Sequence, residues 1–275
     1  MLIWLYNFLE VIEMQDIFCP LKLTGVAASL CNALGIEAPE TAEKSLDVMN
    51  KLAEDKGVDR VFMYNPDAVA LWVFEKYTDI FTPVMLNSDI TLPLQTVMPS
   101  VTPVCFATMY TGAEPAVHGI QSYTKPVVRT DSVFDVLIRN GKKPCIVSTG
   151  NDSMSKIFLE REMDYFIVET PDEANEKAVE LIKEDKYDLI CVYNGNYDGR
   201  MHRVGPEGDE AIEALKHNVK AYETFAQAIR ENWKNHKTLL GFAPDHGCHE
   251  IDGGAGSHGL MMPEDMNIVH FYKVI

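Results

Sequence analysis

Hydrophobic residues beyond position 60 occur in short unbroken runs that alternate with longer stretches of helical periodicity. Uninterrupted apolar runs are typical of strands buried on both faces of a sheet, and amphipathic stretches between them are typical of covering helices. We therefore expect an α/β fold with a mostly parallel central sheet and helices on both faces. The pattern predicts strands at 60–64, 144–148, 165–168, 189–193 and 238–242, and helices at 68–77, 132–140, 171–185 and 209–235.

The first 58 residues have a different pattern. Residues 24–35 and 40–56 have helical periodicity, and Gly35 is a stop signal for the first of these helices. The apolar start at 1–11 lacks the basic segment and cleavage site of a signal peptide, is too short to span a membrane, and leaves Met14 as an alternative start. We expect a single domain over 1–275, with a helical N-terminal segment at 1–58 packed on a core at 59–275.

Composition and charge narrow the classes of partner. A chain of 275 residues with 47% hydrophobic content can bury a large core. Its formal charge of −17 disfavours nucleic acid and anionic membrane as partners, because a negative surface repels phosphate groups. A small anionic substrate would need local positive charge, which bound dications supply. The six cysteines are dispersed without a C-x-x-C pair, which indicates reduced thiols and a cytoplasmic location.

Acidic residues and histidines follow several of the predicted strands. In parallel sheets, ligands bind beyond the carboxyl ends of the strands, so these side chains are expected to meet there. Oxygen and nitrogen donors in this combination suit a pair of divalent cations. The candidate metal ligands are Asp67, Asp198, His202, Asp245, His246 and His258.

Each candidate has an ordinary structural explanation when it is taken alone. Asp198 and His202 are four residues apart and share one helical face, but a loop aspartate beside an unrelated histidine would have the same spacing. Asp245 can cap a turn that Gly247 permits. His258 lies in a glycine-rich loop at 253–259, which is flexible enough to fold back over the strand ends.

Thr102 has two interpretations that use the same geometry. It precedes Pro103 and a helical stretch at 104–110, so its hydroxyl is expected to cap that helix. A hydroxyl beside the free amides of a helix start and a dication would also be an activated nucleophile. The segment alone leaves both interpretations open.

The motifs taken together resemble the alkaline phosphatase superfamily, and most closely its nucleotide pyrophosphatase/phosphodiesterase-like branch. Residues 99–120, PSVTPVCFATMYTGAEPAVHGI, are similar to the nucleophile segment of that branch. Residues 196–206, NYDGRMHRVGP, are similar to its second motif, and the Asp-His-Gly at 245–247 and Gly-x-His-Gly at 256–259 follow in the same order. The resemblance covers residues 60–275.

The resemblance implies an alkaline-phosphatase-like fold and a two-metal hydrolase of phosphate esters or anhydrides, of the phosphodiesterase or nucleotide pyrophosphatase type. It implies that Asp198, His202 and His258 hold one ion and that Asp67, Asp245 and His246 hold the other. Thr102 would be the nucleophile that forms a phospho-threonine intermediate, and His118 would be structural. Zinc suits the nitrogen-rich ligand set, and manganese is possible.

The chain departs from that branch where the substrate would bind. An asparagine that contacts a phosphoryl oxygen in the branch is replaced here by Tyr123. We expect Tyr123, Lys125 and Lys156 to be the candidate substrate-binding residues. A phosphonate hydrolase or phosphomonoesterase on the same scaffold, or a metal-binding relative without turnover, remains an alternative.

Overall fold

The structure is a computed structural model that describes residues 17–275. The predictions for the apolar start and for Met14 as the first residue lie outside the described residues. The helices are α1 (Gly25–Ala33), α2 (Asp47–Ala53), α3 (Leu71–Lys76), α4 (Thr82–Leu86), α5 (Thr102–Thr111), α6 (Pro115–His118), α7 (Val133–Arg139), α8 (Ser153–Ile157), α9 (Pro171–Glu184), α10 (Asn196–Val204), α11 (Asp209–Asn232) and α12 (Pro263–Met266).

A seven-stranded sheet forms the centre of residues 17–275, with the strand order β2-β9-β6-β1-β5-β3-β4. Five neighbouring strands are parallel, and β9 pairs antiparallel with both β6 and β2. A separate two-stranded hairpin is formed by β7 and β8. The strands are β1 (Arg60–Pro66), β2 (Ile90–Gln95), β3 (Pro144–Thr149), β4 (Asp164–Val168), β5 (Leu189–Asn194), β6 (Thr238–Phe242), β7 (His249–Ile251), β8 (Ala255–Ser257) and β9 (Asn267–Val274).

The mostly parallel α/β fold expected from the sequence is confirmed. All five predicted strands form, and the strand at 238–242 has the predicted bounds. The sheet separates two apolar clusters. One contains side chains of α1, α2, α5 and α7, and the other contains side chains of α3, α9, α10 and α11. Covering both faces is what allows the central strands to be mainly apolar along their length.

Local sequence signals explain where several helices begin. Ser132 and Thr170 form capping boxes with Asp135 and Glu173, so that the first amides of α7 and α9 have side-chain acceptors. The helix predicted at 40–56 is wrong in its first half, because only Asp47–Ala53 is helical. Leu46 adopts an extended conformation immediately before that helix and buries its side chain.

The described N-terminal residues pack on the domain core. Leu23, Val26 and Leu30 are fully buried and belong to the same apolar cluster as Val104 and Phe134. Within residues 17–275, no helix has both the length and the apolar character that crossing a bilayer requires.

Candidate metal centre

Three aspartates lie at the carboxyl ends of three adjacent parallel strands. Asp67 follows β1, Asp198 lies in the first turn of α10 after β5, and Asp245 lies three residues after the end of β6. Because β5 and β6 flank β1 on either side, the fold brings the three carboxylates to one place. Residues that are 178 positions apart in the chain thus meet at one edge of the sheet.

Asp198, His202 and His258 form the first of two candidate ligand groups. One ligand atom from each lies within 4.8 Å of the others. Asp198 and His202 occupy successive turns of α10, and Asp198 Oδ1 lies 3.2 Å from His202 Nε2 and 3.5 Å from His258 Nε2. The His202 side chain is 42% exposed, so this group is open to solvent.

Asp67, Asp245 and His246 form the second group, and all three are buried. His246 Nε2 lies 3.3 Å from Asp67 Oδ1 and 3.4 Å from Asp245 Oδ2. The two groups are adjacent, because the rings of His246 and His258 stack with centroids 4.0 Å apart. The structure therefore brings together all six predicted ligands as two neighbouring sets of three.

Backbone carbonyls orient the three imidazoles. A carbonyl oxygen can only accept a hydrogen bond, so each neighbouring Nδ1 must carry a proton, and Nε2 is the nitrogen that faces the carboxylates and could bind a cation. This tautomer is the one in which histidine binds a metal through Nε2. The Nδ1–carbonyl distances are 3.0 Å for His202 to Gly256, 3.0 Å for His258 to Ser100 and 2.9 Å for His246 to Gly247.

Unpartnered atoms show that these residues fit a divalent ion. Asp67 Oδ1, Asp198 Oδ1 and Asp245 Oδ2 are buried without a hydrogen-bond partner in the described part of the chain, although each has a nearby Nε2. Two ionised carboxylates within 4.8 Å of each other repel by at least about 3 kcal/mol at an effective dielectric constant of 20. A dication between the facing lone pairs would offset that repulsion, so the donor set suits divalent metals.

The ionisation of the site follows from burial and charge. Burial, and after it the charge of Asp198, raises the pKa of Asp67 to about 6. Burial also raises the pKa of Asp245 well above its usual value. The Asp198 carboxylate raises the pKa of His202 to about 9, whereas burial lowers that of His258 to about 3. An ion that binds here at neutral pH would therefore displace a proton from His202.

Thr102 lies beside the buried group. Its Oγ1 is 3.3 Å from Asp67 Oδ2 and 3.3 Å from His246 Nε2. The prediction that Thr102 caps its helix is wrong: Val101 is the N-cap, in an extended conformation, and Thr102 is the first helical residue. The capping explanation of this hydroxyl therefore does not apply.

The expected cluster of free amides around Thr102 is also absent from the described residues. Pro103 has no N–H, and the amides of Val104 and Cys105 both donate to the Val101 carbonyl at 3.0 Å. Val104 and Cys105 therefore have no free N–H for an oxyanion beside the Thr102 hydroxyl.

Backbone features around Asp245 hold the second group in place. Ala68 has a φ of 64°, a left-handed conformation that costs roughly 1–2 kcal/mol outside glycine. This conformation directs the Ala68 amide at Asp245 Oδ1, 3.3 Å away. Gly247 is required for close packing and not for an unusual φ, because a Cβ there would lie 2.0 Å from the Glu264 carbonyl oxygen.

His258 is held in a more ordered segment than a flexible glycine loop. The hairpin of β7 and β8 precedes it directly. Asp265, which is fully buried, accepts hydrogen bonds from the Leu260 amide at 2.8 Å and pairs with His249 Nδ1 at 2.7 Å. His249 therefore supports the segment after His258 and belongs to neither ligand group.

The candidate substrate-binding residues lie in different environments. The Tyr123 side chain is exposed at the surface, yet burial of its hydroxyl and the charges of Asp67 and Asp198 raise its pKa, so the hydroxyl stays protonated. Lys125 Nζ donates to the Asn151 carbonyl at 2.8 Å and lies 5.4 Å from the centre of the Tyr123 ring. Lys156 lies in the last turn of α8. Within residues 17–275, neither lysine forms an ion pair with the three aspartates.

His118 lies outside both ligand groups. Its Nδ1 accepts from the Ile120 amide at 3.2 Å and its Nε2 lies 3.0 Å from Thr108 Oγ1, so the ring joins α5 to the following turn. Burial lowers the pKa of His118 to about 4.

We expect His118→Ala to lower the free energy of unfolding by about 2–4 kcal/mol, through lost contacts and a cavity, with turnover within threefold of wild type. Because folding lowers the pKa of His118, the neutral ring contributes to folding stability above pH 6.5, and this contribution is lost as the pH falls toward 4. Urea unfolding of both proteins at pH 7 and pH 5 measures this, and the difference between them should shrink at pH 5. Loss of a bound ion in the variant would contradict a purely structural role.

No model of a known protein family matches the chain, and no curated protein matches it. The fold is similar to solved structures of human and murine ectonucleotide pyrophosphatase/phosphodiesterase 5. The human protein aligns with a TM-score of 0.58 at 14% identity over 70% of this chain and 58% of its own. An inactive murine variant in complex with AMP aligns with a TM-score of 0.56 at 14% identity over 71% and 59%. The chain thus spans less than two thirds of these structures, and the likeness is one of fold.

Proposed function

We propose that this protein is a two-metal hydrolase of phosphate esters or anhydrides, of the phosphodiesterase or nucleotide pyrophosphatase type. One observation carries the proposal: the Thr102 hydroxyl lies 3.3 Å from both Asp67 and His246, beside two adjacent sets of three ligands. A helix-start hydroxyl that caps nothing and faces a buried carboxylate is placed for chemistry better than for stability. The similar fold of known phosphodiesterases supports the same class.

In the proposed mechanism, Thr102 Oγ1 attacks phosphorus in line with the leaving group. Its hydroxyl donates toward Asp67 Oδ2, which holds the proton as the Oγ1–phosphorus bond forms and the bond to the leaving oxygen breaks. Water then cleaves the phospho-threonine and restores the hydroxyl. Bound dications supply charge neutralisation and lower the pKa of the attacking groups. The protonated Tyr123 hydroxyl can donate to a phosphoryl oxygen, in place of the amide found in the resembled branch.

Two divalent ions fit the donor set, and zinc suits its three nitrogens and three carboxylates. Two dications against three carboxylates and a neutral Thr102 hydroxyl would leave a small positive charge, so an anionic phosphoryl group can enter. The exposed His202 edge is the side on which the site is open to solvent. The proposed partner is a small phosphorylated molecule, and the AMP bound by one structure of similar fold supports a nucleotide. The cytoplasmic location stays a prediction from the cysteine pattern.

The charges around the site favour diesters or anhydrides over monoesters. A phosphomonoester brings a second negative charge, which needs a cation of the protein over the phosphoryl group. Lys125 is hydrogen-bonded to the Asn151 carbonyl, and no ion pair links a lysine or arginine to the three aspartates within residues 17–275.

We expect at least tenfold higher kcat/KM for a bis-aryl phosphate than for the mono-aryl ester, which corresponds to about 1.4 kcal/mol of transition-state stabilisation. One metal-loaded preparation should be assayed with both compounds and with phosphonoacetate. A hundredfold preference for the monoester would contradict the diesterase assignment but leave the metal site intact. Hydrolysis of phosphonoacetate alone would instead identify a phosphonate hydrolase.

A further inference from the structure

Tyr193, at the end of β5, contacts the candidate metal centre through one atom. Its hydroxyl donates to Asp67 Oδ2 at 2.6 Å, which is the shortest contact made by that carboxylate. The side chain is 7% exposed, so this hydrogen bond is shielded from solvent. Tyr193 lies opposite Asn65 in the parallel pairing of β5 with β1, and its ring thus reaches past the end of β1 to Asp67.

Two neighbours fix the tyrosine ring. Phe106, on the helix that begins at Thr102, packs edge-on against it with ring centroids 5.7 Å apart. Gly195 leaves the space for the hydroxyl, since a Cβ at that position would lie 2.6 Å from the hydroxyl oxygen. The position of the hydroxyl is therefore determined by packing from α5 and by the absence of a side chain before α10.

The two oxygens of Asp67 therefore differ in their hydrogen bonding. Oδ2 accepts from the Tyr193 hydroxyl at 2.6 Å and from the Thr102 hydroxyl at 3.3 Å. Oδ1 has no hydrogen-bond partner among residues 17–275 and lies 3.3 Å from His246 Nε2. A carboxylate whose second oxygen is fully hydrogen-bonded can offer only the first to a cation, and its rotation is restricted.

We propose that Tyr193 is a positioning residue that holds Asp67 so that only its Oδ1 would bind an ion, while its Oδ2 stays directed at Thr102. The inference rests on the proposed two-metal function and deepens it. Without the hydroxyl, Asp67 can turn about its side-chain bonds or present both oxygens to the ion, and the free energy that orients it is lost. Partners that orient ligands in this way typically change metal affinity by about 10–100-fold.

The test is zinc titration of the full chain, stripped with chelator and competed against a chromogenic chelator. Tyr193→Phe should weaken one of two zinc equivalents 10–100-fold and leave the other within threefold. His258→Ala disables the group of Asp198, His202 and His258. In that background the one remaining zinc equivalent should be the one that Tyr193→Phe weakens. Tyr187→Phe is the matched control, because Tyr187 is a buried tyrosine whose hydroxyl donates to Asp164 at 2.5 Å on a different strand.

Gly195→Ala perturbs the same hydrogen bond from the other side. Its Cβ should displace the Tyr193 hydroxyl and weaken binding of the same zinc equivalent. When Tyr193→Phe is already present, adding Gly195→Ala should lower zinc affinity by less than a further threefold. Such coupling is absent when two substitutions act independently. A Tyr193→Phe protein that keeps both affinities within threefold, or weakens both equally, overturns the inference. A wild-type chain that binds no zinc at all fails the proposed function instead.

Discussion

Thr102→Ala is expected to lower kcat by at least about a thousandfold, because removing the proposed nucleophile of a covalent mechanism leaves only binding and electrostatic stabilisation. Acid quenching during turnover of a labelled phosphodiester should trap phosphate on the wild-type chain and none on the variant. Both effects follow from the position of the Thr102 hydroxyl, 3.3 Å from both Asp67 Oδ2 and His246 Nε2.

The same substitution should leave the protein folded. Thr102 caps no helix, and Asp67 Oδ2 keeps its hydrogen bond from Tyr193, so the loss in unfolding free energy should be about 1 kcal/mol or less. Ser100→Ala is the matched control: Ser100 is a buried hydroxyl two residues away, which donates only a long 3.5 Å contact to the Leu260 carbonyl. If Thr102→Ala retains ordinary turnover while Ser100→Ala does too, the phospho-threonine mechanism is wrong.

The central strands could be predicted from sequence because burial on both faces gives them long apolar runs, such as 61–64 and 189–193. The two strands on the antiparallel side of the sheet, β2 and β9, could not. β2 alternates exposed with buried residues and contains Pro93. A proline inside a strand is tolerated mainly at a sheet edge, which is where β2 lies. β9 contains His270, which looks unsuited to a core strand. In the structure both ring nitrogens of His270 have hydrogen-bond partners: Nδ1 lies 2.9 Å from the Tyr272 hydroxyl and Nε2 lies 2.7 Å from the Pro244 carbonyl.

The six candidate ligands and Thr102 could be proposed from sequence because they are chemically distinctive and follow strands in a specific order. The groups that orient them were missed for a physical reason. The partners of the three Nδ1 atoms are backbone carbonyls, which every residue has, and the left-handed Ala68 has no composition signal. Tyr193 could have been proposed from sequence, because it lies at the carboxyl end of β5, where ligands bind in parallel sheets.

His258→Ala tests the division of the ligands into two groups. His258 Nε2 lies 3.2 Å from His202 Nε2 and 3.5 Å from Asp198 Oδ1, and it takes no part in the buried group of Asp67, Asp245 and His246. Removing one of three ligands should therefore lower the affinity for one ion by at least a hundredfold and leave the affinity for the other near its wild-type value. We expect kcat to fall at least a hundredfold at metal concentrations that saturate only the intact group, because two-metal hydrolysis needs both ions.

Elemental analysis after reconstitution and gel filtration should find close to two equivalents in the wild type and close to one in His258→Ala. His249→Ala is the matched control, since it removes a nearby imidazole that pairs with Asp265 and contacts neither group. That variant should keep two equivalents, because Asp265 still accepts from the Leu260 amide and holds the segment after His258. Two tightly held ions in His258→Ala would show that the ligands are divided differently, and loss of both would show that the two positions fill only together.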